Sequence, residues 1–132
     1  MKLRYKNVTV YASNGKARNN VGSWKVENIH VNNSIKGFDF YKQKDEAMAK
    51  NADYGFMVWD GKSRGTLNNI INLINDNKKV VVYISPFHKM LVIEKMSQLD
   101  NLIEHCPLST KKTYRTLLSN NDIVNNIQLS LL

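Results

Sequence analysis

The chain has 132 residues, enough for one domain that buries roughly two thirds of its unfolded surface without staples. A single cysteine, Cys106, excludes an internal disulfide framework and any multi-cysteine zinc site; it suits a reducing compartment, so a cytoplasmic address is expected. No run approaches ~18 apolar residues and charges interrupt MKLRYKNVTVYAS, so no membrane span or signal peptide is readable; the net charge of +8 favours anionic partners.

Fifteen of the nineteen cations are Lys, mixed with much Asn and Ile, a composition that AT-rich coding also produces. Charge alone therefore argues only weakly for nucleic acid, and no segment combines a broad apolar face with a basic one as a membrane-surface helix would. No internal repeat, linker or low-complexity tract is visible.

NVTVYAS (7–13) reads as a strand, and the loop after it, NGKARNNVGSW, is rich in Gly, Asn and cations. KVENIHV (25–31) is partly extended. FYKQKDEAMAKN (40–51) reads as a helix with Tyr41, Met48 and Ala52 on one face. DYGFMVWD (53–60) is a continuous apolar run ending in Asp-Gly, as expected of a strand covered on both faces. Leu67, Ile70, Ile71 and Ile74 then fall at i, i+3, i+4 and i+7, the firmest helix signal in the chain. KVVVYIS (79–85) is a buried-type strand and KMLVIE (89–94) a shorter one. MSQLDNLIEHC and STKKTYRTLLS read as helices broken at Pro107, and NNDIVNNIQLSLL as a last helix or strand against a sheet edge.

Strands alternating with helices predict βαβ crossovers and a mostly parallel sheet with helices on its faces: a Rossmann-like three-layer α/β sandwich in one domain, residues 1–132. Ligands sit beyond the carboxyl ends of such strands. The loops after strands 7–13 and 53–60 are thus expected to open on one edge and bring Lys16 and Arg18 near Lys62 and Arg64.

WDGKSRGTLNNI (59–70) looks suited to an anion. Gly61 and Gly65 permit positive φ and close approach, and a helix starting near Thr66 presents unpaired N–H groups with a positive dipole end. It is neither a Walker loop nor a G-x-G-x-x-G turn, and a solvated strand-to-helix turn explains it as readily. In the preceding loop Ser13, Asn14, Lys16, Arg18, Asn19 and Asn20 offer polar contacts, Arg18 as a bidentate fork for phosphate. Trp59, beside the Gly-rich loop, is the best candidate to stack on a base, although Trp24, Tyr41 and Trp59 read more readily as core or rim.

Residues 45–84 resemble the SLOG superfamily, which includes the lonely-guy phosphoribohydrolases, the DNA-processing protein A fold and the ligand-sensing domain of Thoeris antiphage effectors. Met48-Ala49, the strand 53–60 and Gly65-Thr66-Leu67-Asn68-Asn69 are similar to the family's helix, strand and Gly-Thr-x-x-Glu turn. VTVYASNGKARNNVGSWKV looks like a third-strand region that such proteins precede with a further βαβ portion, so a shortened member is expected. The resemblance implies a ligand-binding loop of Asp60, Gly61, Lys62, Ser63, Arg64, Gly65 and Thr66, with Asn68 and Asn69 at a ribose. Where the hydrolases carry the Glu of that turn this chain has Asn69, and an amide cannot act as general base or form a glycosyl ester. Where they carry an Arg-Lys pair it has Lys44-Asp45. Asp45, Asp53 and Asp60 leave a rearranged catalytic site open.

The expected function is therefore non-catalytic binding and sequestration of a nucleotide-derived signal of the ADP-ribose or cyclic ADP-ribose type, as in a phage sponge against Thoeris defence, with no cofactor. The alternatives are a nucleotide N-glycosidase or phosphoribohydrolase-like enzyme and a single-stranded DNA-binding module. A homo-oligomer is expected because a shortened sheet leaves an edge to cover, by IQLSLL or by another chain. His30, His88 and His105 have no ligand-like spacing, so no metal site is expected. Cys106 reads as a buried thiol, and Ser13, Ser63 and Ser85 lack a nucleophile elbow. STKKTYR (109–115) reads as a solvated basic face.

Overall fold

A computed structural model describes residues 8–13, 25–30 and 38–131. In chain order the elements are β1 (Thr9–Ser13), β2 (Lys25–Ile29), α1 (Phe38–Asn51), β3 (Tyr54–Trp59), α2 (Arg64–Asn75), β4 (Lys79–Ile84), β5 (Lys89–Ile93), α3 (Met96–Glu104) and α4 (Leu108–Leu131). The architecture is mixed α/β, in two compact units, Met1–Ala52 and Asp53–Leu132.

In the first unit β1 and β2 pair in parallel, from Thr9 opposite Lys25 to Ser13 opposite Ile29, and α1 lies against both strands. The face predicted for α1 from Tyr41, Met48 and Ala52 is corrected at Met48, which is exposed while Ala49 is buried. Three widely spaced apolar residues mark a helical stripe too thinly to fix which side turns inward.

The second unit is a three-stranded sheet in the order β3-β4-β5. The β3–β4 pair is parallel, Tyr54 opposite Lys79 through Trp59 opposite Ile84, with α2 as the crossover that a parallel pair requires. β5 returns antiparallel, Val80 opposite Ile93 through Ile84 opposite Lys89. The expected run of parallel strands therefore stops at β4. Residues 85–88 leave no room for a crossover helix, so the chain reverses through a 3₁₀ turn, Ser85–Phe87, opened by Pro86 and closed by His88 in the left-handed region at φ 48°.

α2 forms where the periodicity placed it, burying Leu67, Ile70, Ile71 and Ile74. It ends in a Schellman-type closure with Asn77 at φ 59°: the Asn77 N–H donates to the Ile74 carbonyl at 2.9 Å and the Lys78 N–H to that of Leu73 at 2.8 Å. The core joins Trp59, Val80, Val82, Ile84 and Ile93 to this face of α2 and to Leu99, Leu102, Ile103 and Leu117 of α3 and α4. Each such side chain contributes roughly 1.5–3 kcal/mol when fully buried. Gly55 lets α2 lie close against β3, since a Cβ there would strike Leu73 Cδ1.

The other sheet face differs. Tyr54, Phe56 and Val58 of β3 are exposed, as are Met90 and Val92 of β5. The expectation that residues 53–60 are covered on both faces is thus met on one face only. A continuous apolar run shows that both faces are nonpolar; it does not supply the second cover. The two C-terminal segments, 109–119 and 120–131, form one helix, α4. No described helix is long and apolar enough to cross a membrane.

Candidate functional site

β3 delivers the chain at Trp59 to a turn that opens beyond the sheet's carboxyl end. Asp60 turns its carboxylate back on the backbone: Oδ1 accepts the N–H of Lys62 at 2.8 Å and that of Ser63 at 2.7 Å. These two bonds hold the Asp60 carboxyl below its ordinary value of 3.8, so it is ionised at neutral pH. An anion in the loop that the sequence singled out therefore meets an acid already seated on the N–H groups of Lys62 and Ser63. Sequence reading missed this because Asp two residues before a turn N–H is equally the signature of a self-capped loop.

The loop is fastened at three points. Trp59 Nε1 donates to the Ser63 carbonyl at 3.1 Å. Ser85 Oγ donates to the Trp59 carbonyl at 3.3 Å, tying the carboxyl ends of β3 and β4 together. Thr110 Oγ1, in the first turn of α4, donates to the buried carbonyl of Gly61 at 2.5 Å. Gly61 itself stands at φ +79°, a conformation that disfavours any side chain.

Beside this loop is a cleft of about 550 Å³ lined by Asp60, Lys62, Pro86, Phe87, His105, Cys106 and Pro107. Its position beyond β3 and β4 is where open α/β sheets take ligands. Its walls differ in character. Asp60, Lys62 and His105 supply one acceptor and donors, while Phe87, 41% exposed, adds apolar surface together with Pro86 and Pro107. Lys62, Ser63 and Arg64 are exposed, and Arg64 begins a 12-residue helix whose amino end carries a positive dipole. A Cβ on Gly65 would meet nothing within 4 Å, so the backbone there is open to approach.

Cys106 is not an activated thiol. It is buried, its Sγ donates to the Leu102 carbonyl at 3.6 Å, and burial pushes its pKa up against a smaller opposing pull from Lys111. Among the described residues, no three His, Cys, Asp or Glu side chains gather as a metal site would require.

The sequence-derived candidates separate as follows. Asp60 to Thr66 do form one continuous loop and helix start. Trp59 is fully buried, so it is a core residue, and its ring has no face for a base. Asn68 is only 2% exposed and lies inside α2's packed side, out of reach of a ribose in this conformation. Asn69 is half-buried. Asn68 Nδ2, Asn69 Oδ1 and Asn72 Nδ2 are buried without a hydrogen-bond partner among the described residues. Ser13 ends β1 in the first unit; Asn14, Lys16, Arg18, Asn19 and Asn20 lie outside the described residues, and with them the expected meeting of four cations. Pro86, Phe87, His105 and Pro107 were missed. Pro86 follows strand 79–85 directly, so the carboxyl-end rule that singled out the loop after β3 applied equally there.

Comparison with models of known families, with curated proteins and with solved structures finds no significant match to this chain.

Proposed function

We propose that the chain binds a nucleotide-derived small molecule in the cleft beyond β3 and β4 and holds it without cleaving it. The observation that carries this reading is the pairing, within one cleft, of Lys62 and His105 with the exposed ring of Phe87. A base stacks on Phe87, and a phosphate lies towards Lys62 and the open amide edge at Gly65 and Thr66. Asp60, acceptor-only when ionised, suits a ribose hydroxyl and not a phosphate. Its two backbone bonds lower its basicity, and Asn69 stands where the resembled hydrolases carry Glu; both favour retention of the ligand over its hydrolysis.

On this reading the domain is a Rossmann-like α/β domain of SLOG type in the cytoplasm, and its ligand is an ADP-ribose derivative, cyclic forms included. A protein that keeps such a signal intact withdraws it from effectors, the action of an anti-defence sponge. Titration calorimetry with ADP-ribose and its cyclic isomers, followed by chromatography of the recovered ligand, tests it. The expected result is an intact ligand bound below about 1 μM, equivalent to roughly −8 kcal/mol. Micromolar or weaker binding to every compound would overturn the reading, and release of free base would replace it with N-glycosidase activity.

A further inference from the structure

We propose that the uncovered face of the β3-β4-β5 sheet is a homodimer interface occupied by the same face of a second copy. Alternation along the strands puts Tyr54, Phe56 and Val58, then Lys79, Val81 and Tyr83, then Met90, Val92 and Glu94 on this side. The register aligns them in rows: Phe56 beside Val81 beside Val92, and Val58 beside Tyr83 beside Met90. Tyr54 is 75% exposed, Phe56 62%, Val58 63%, Met90 60% and Val92 51%. Antiparallel sheets with a wet face carry polar residues there, and parallel strands are ordinarily covered on both sides. Within Asp53–Leu132 no described element covers this apolar face.

Charge and area both fit a second copy. The face's two ionic side chains, Lys79 and Glu94, neutralise each other at 3.4 Å at one end of the rows. Two copies of a chain with net charge +8 can thus meet here without burying an unpaired charge. With aromatic side chains worth roughly 150–250 Å² each and the smaller ones proportionately less, the outward residues expose about 600 Å². That stands at the upper end of the largest patch a monomer shows, and the face doubled by an isologous two-fold buries about 1,200 Å², the threshold of specific interfaces.

Light scattering of the full chain at micromolar concentration is expected to give twice its 15.2 kDa mass, and Phe56→Asp to return it to the monomer with unchanged far-ultraviolet circular dichroism. Should Phe56→Asp fail to fold, Val81→Cys on the central strand gives the second reading. In a self-complementary face it lies near the two-fold, and mild oxidation is expected to yield a disulfide-linked dimer. A wild-type monomer at every concentration, a dimer that Phe56→Asp leaves intact, or the absence of a Val81→Cys crosslink would each overturn the proposal. In the monomer case the face is covered by the chain itself or by an unlike partner.

Discussion

Thr110 Oγ1 donates a buried hydrogen bond to the carbonyl of Gly61, joining residues 49 apart in sequence. The first turn of α4 thereby holds the loop on which Asp60 and Lys62 stand. Thr110→Val keeps the shape, removes the donor and leaves the carbonyl unpaired, at an expected cost of about 1–3 kcal/mol. Chemical denaturation measures the loss. A variant as stable as the parent would show that the loop is not held from α4.

Asp60 and Lys62 are expected to act with opposite signs on the affinity for inorganic pyrophosphate, a probe without a ribose. Asp60→Ala vacates the N–H groups of Lys62 and Ser63 and removes a negative charge, tightening binding of this probe about fivefold if the two lie ~4 Å apart in water. Lys62→Ala weakens it by a similar factor. Calorimetry at two salt concentrations reads both, and the differences shrink as salt rises. Equal effects of the same sign would remove the loop from the binding site.

Phe87 and Trp59 separate binding from stability. Phe87→Ala, at an exposed ring, is expected to weaken ligand binding about tenfold, within the ~1–3 kcal/mol of base stacking, and to leave the melting temperature nearly unchanged. Trp59→Ala empties a fully buried site and costs about 3–5 kcal/mol of stability. Paired thermal melts and titrations distinguish the two.

Asn68 carries a prediction of unusual sign. Its Nδ2 is buried and unpartnered among the described residues, so Asn68→Leu exchanges an uncompensated polar group for an apolar one of similar size. A gain of about 1 kcal/mol is expected in denaturant unfolding. A loss would show that the amide is satisfied in solution, by water or by ligand.

Tyr114 contributes to stability at alkaline pH. Its Oη donates to Asp100 Oδ1 at 2.5 Å; burial first, and this carboxylate second, push the phenol's pKa far above its ordinary 10.0. The folded state keeps the proton that the unfolded chain releases, so the contribution is present below pH 10 and falls away as pH rises above it. Tyr114→Phe flattens that decline. An identical pH profile in parent and variant would contradict the assignment.

Much of the fold was legible in particular residues. The i, i+3, i+4, i+7 spacing of Leu67, Ile70, Ile71 and Ile74 is a demand for one buried face, and α2 buries all four. The β4 run, 79–85, was equally clear because Val80, Val82 and Ile84 are apolar at alternate positions and all are buried. The loop after β3 was found through its glycines and cations, but not the role of Asp60, since the sequence cannot say whether a turn's N–H groups are filled from within. His105 was beyond reach because it joins the cleft from a helix end far away in sequence, whereas Phe87, in the turn directly after β4, fell under the same carboxyl-end rule as the loop after β3. The antiparallel course of β5 could have been foreseen, as four residues cannot carry a crossover.

The placement of β4 between β3 and β5 has a kinetic consequence. Both of its pairings are made with the strand immediately before or after it, one across α2 and the other across a four-residue turn. Loop-closure entropy for the whole sheet is therefore small, and such sequence-local contacts favour rapid folding. The β3-α2-β4-β5 segment is accordingly expected to assemble early, with α4 docking afterwards.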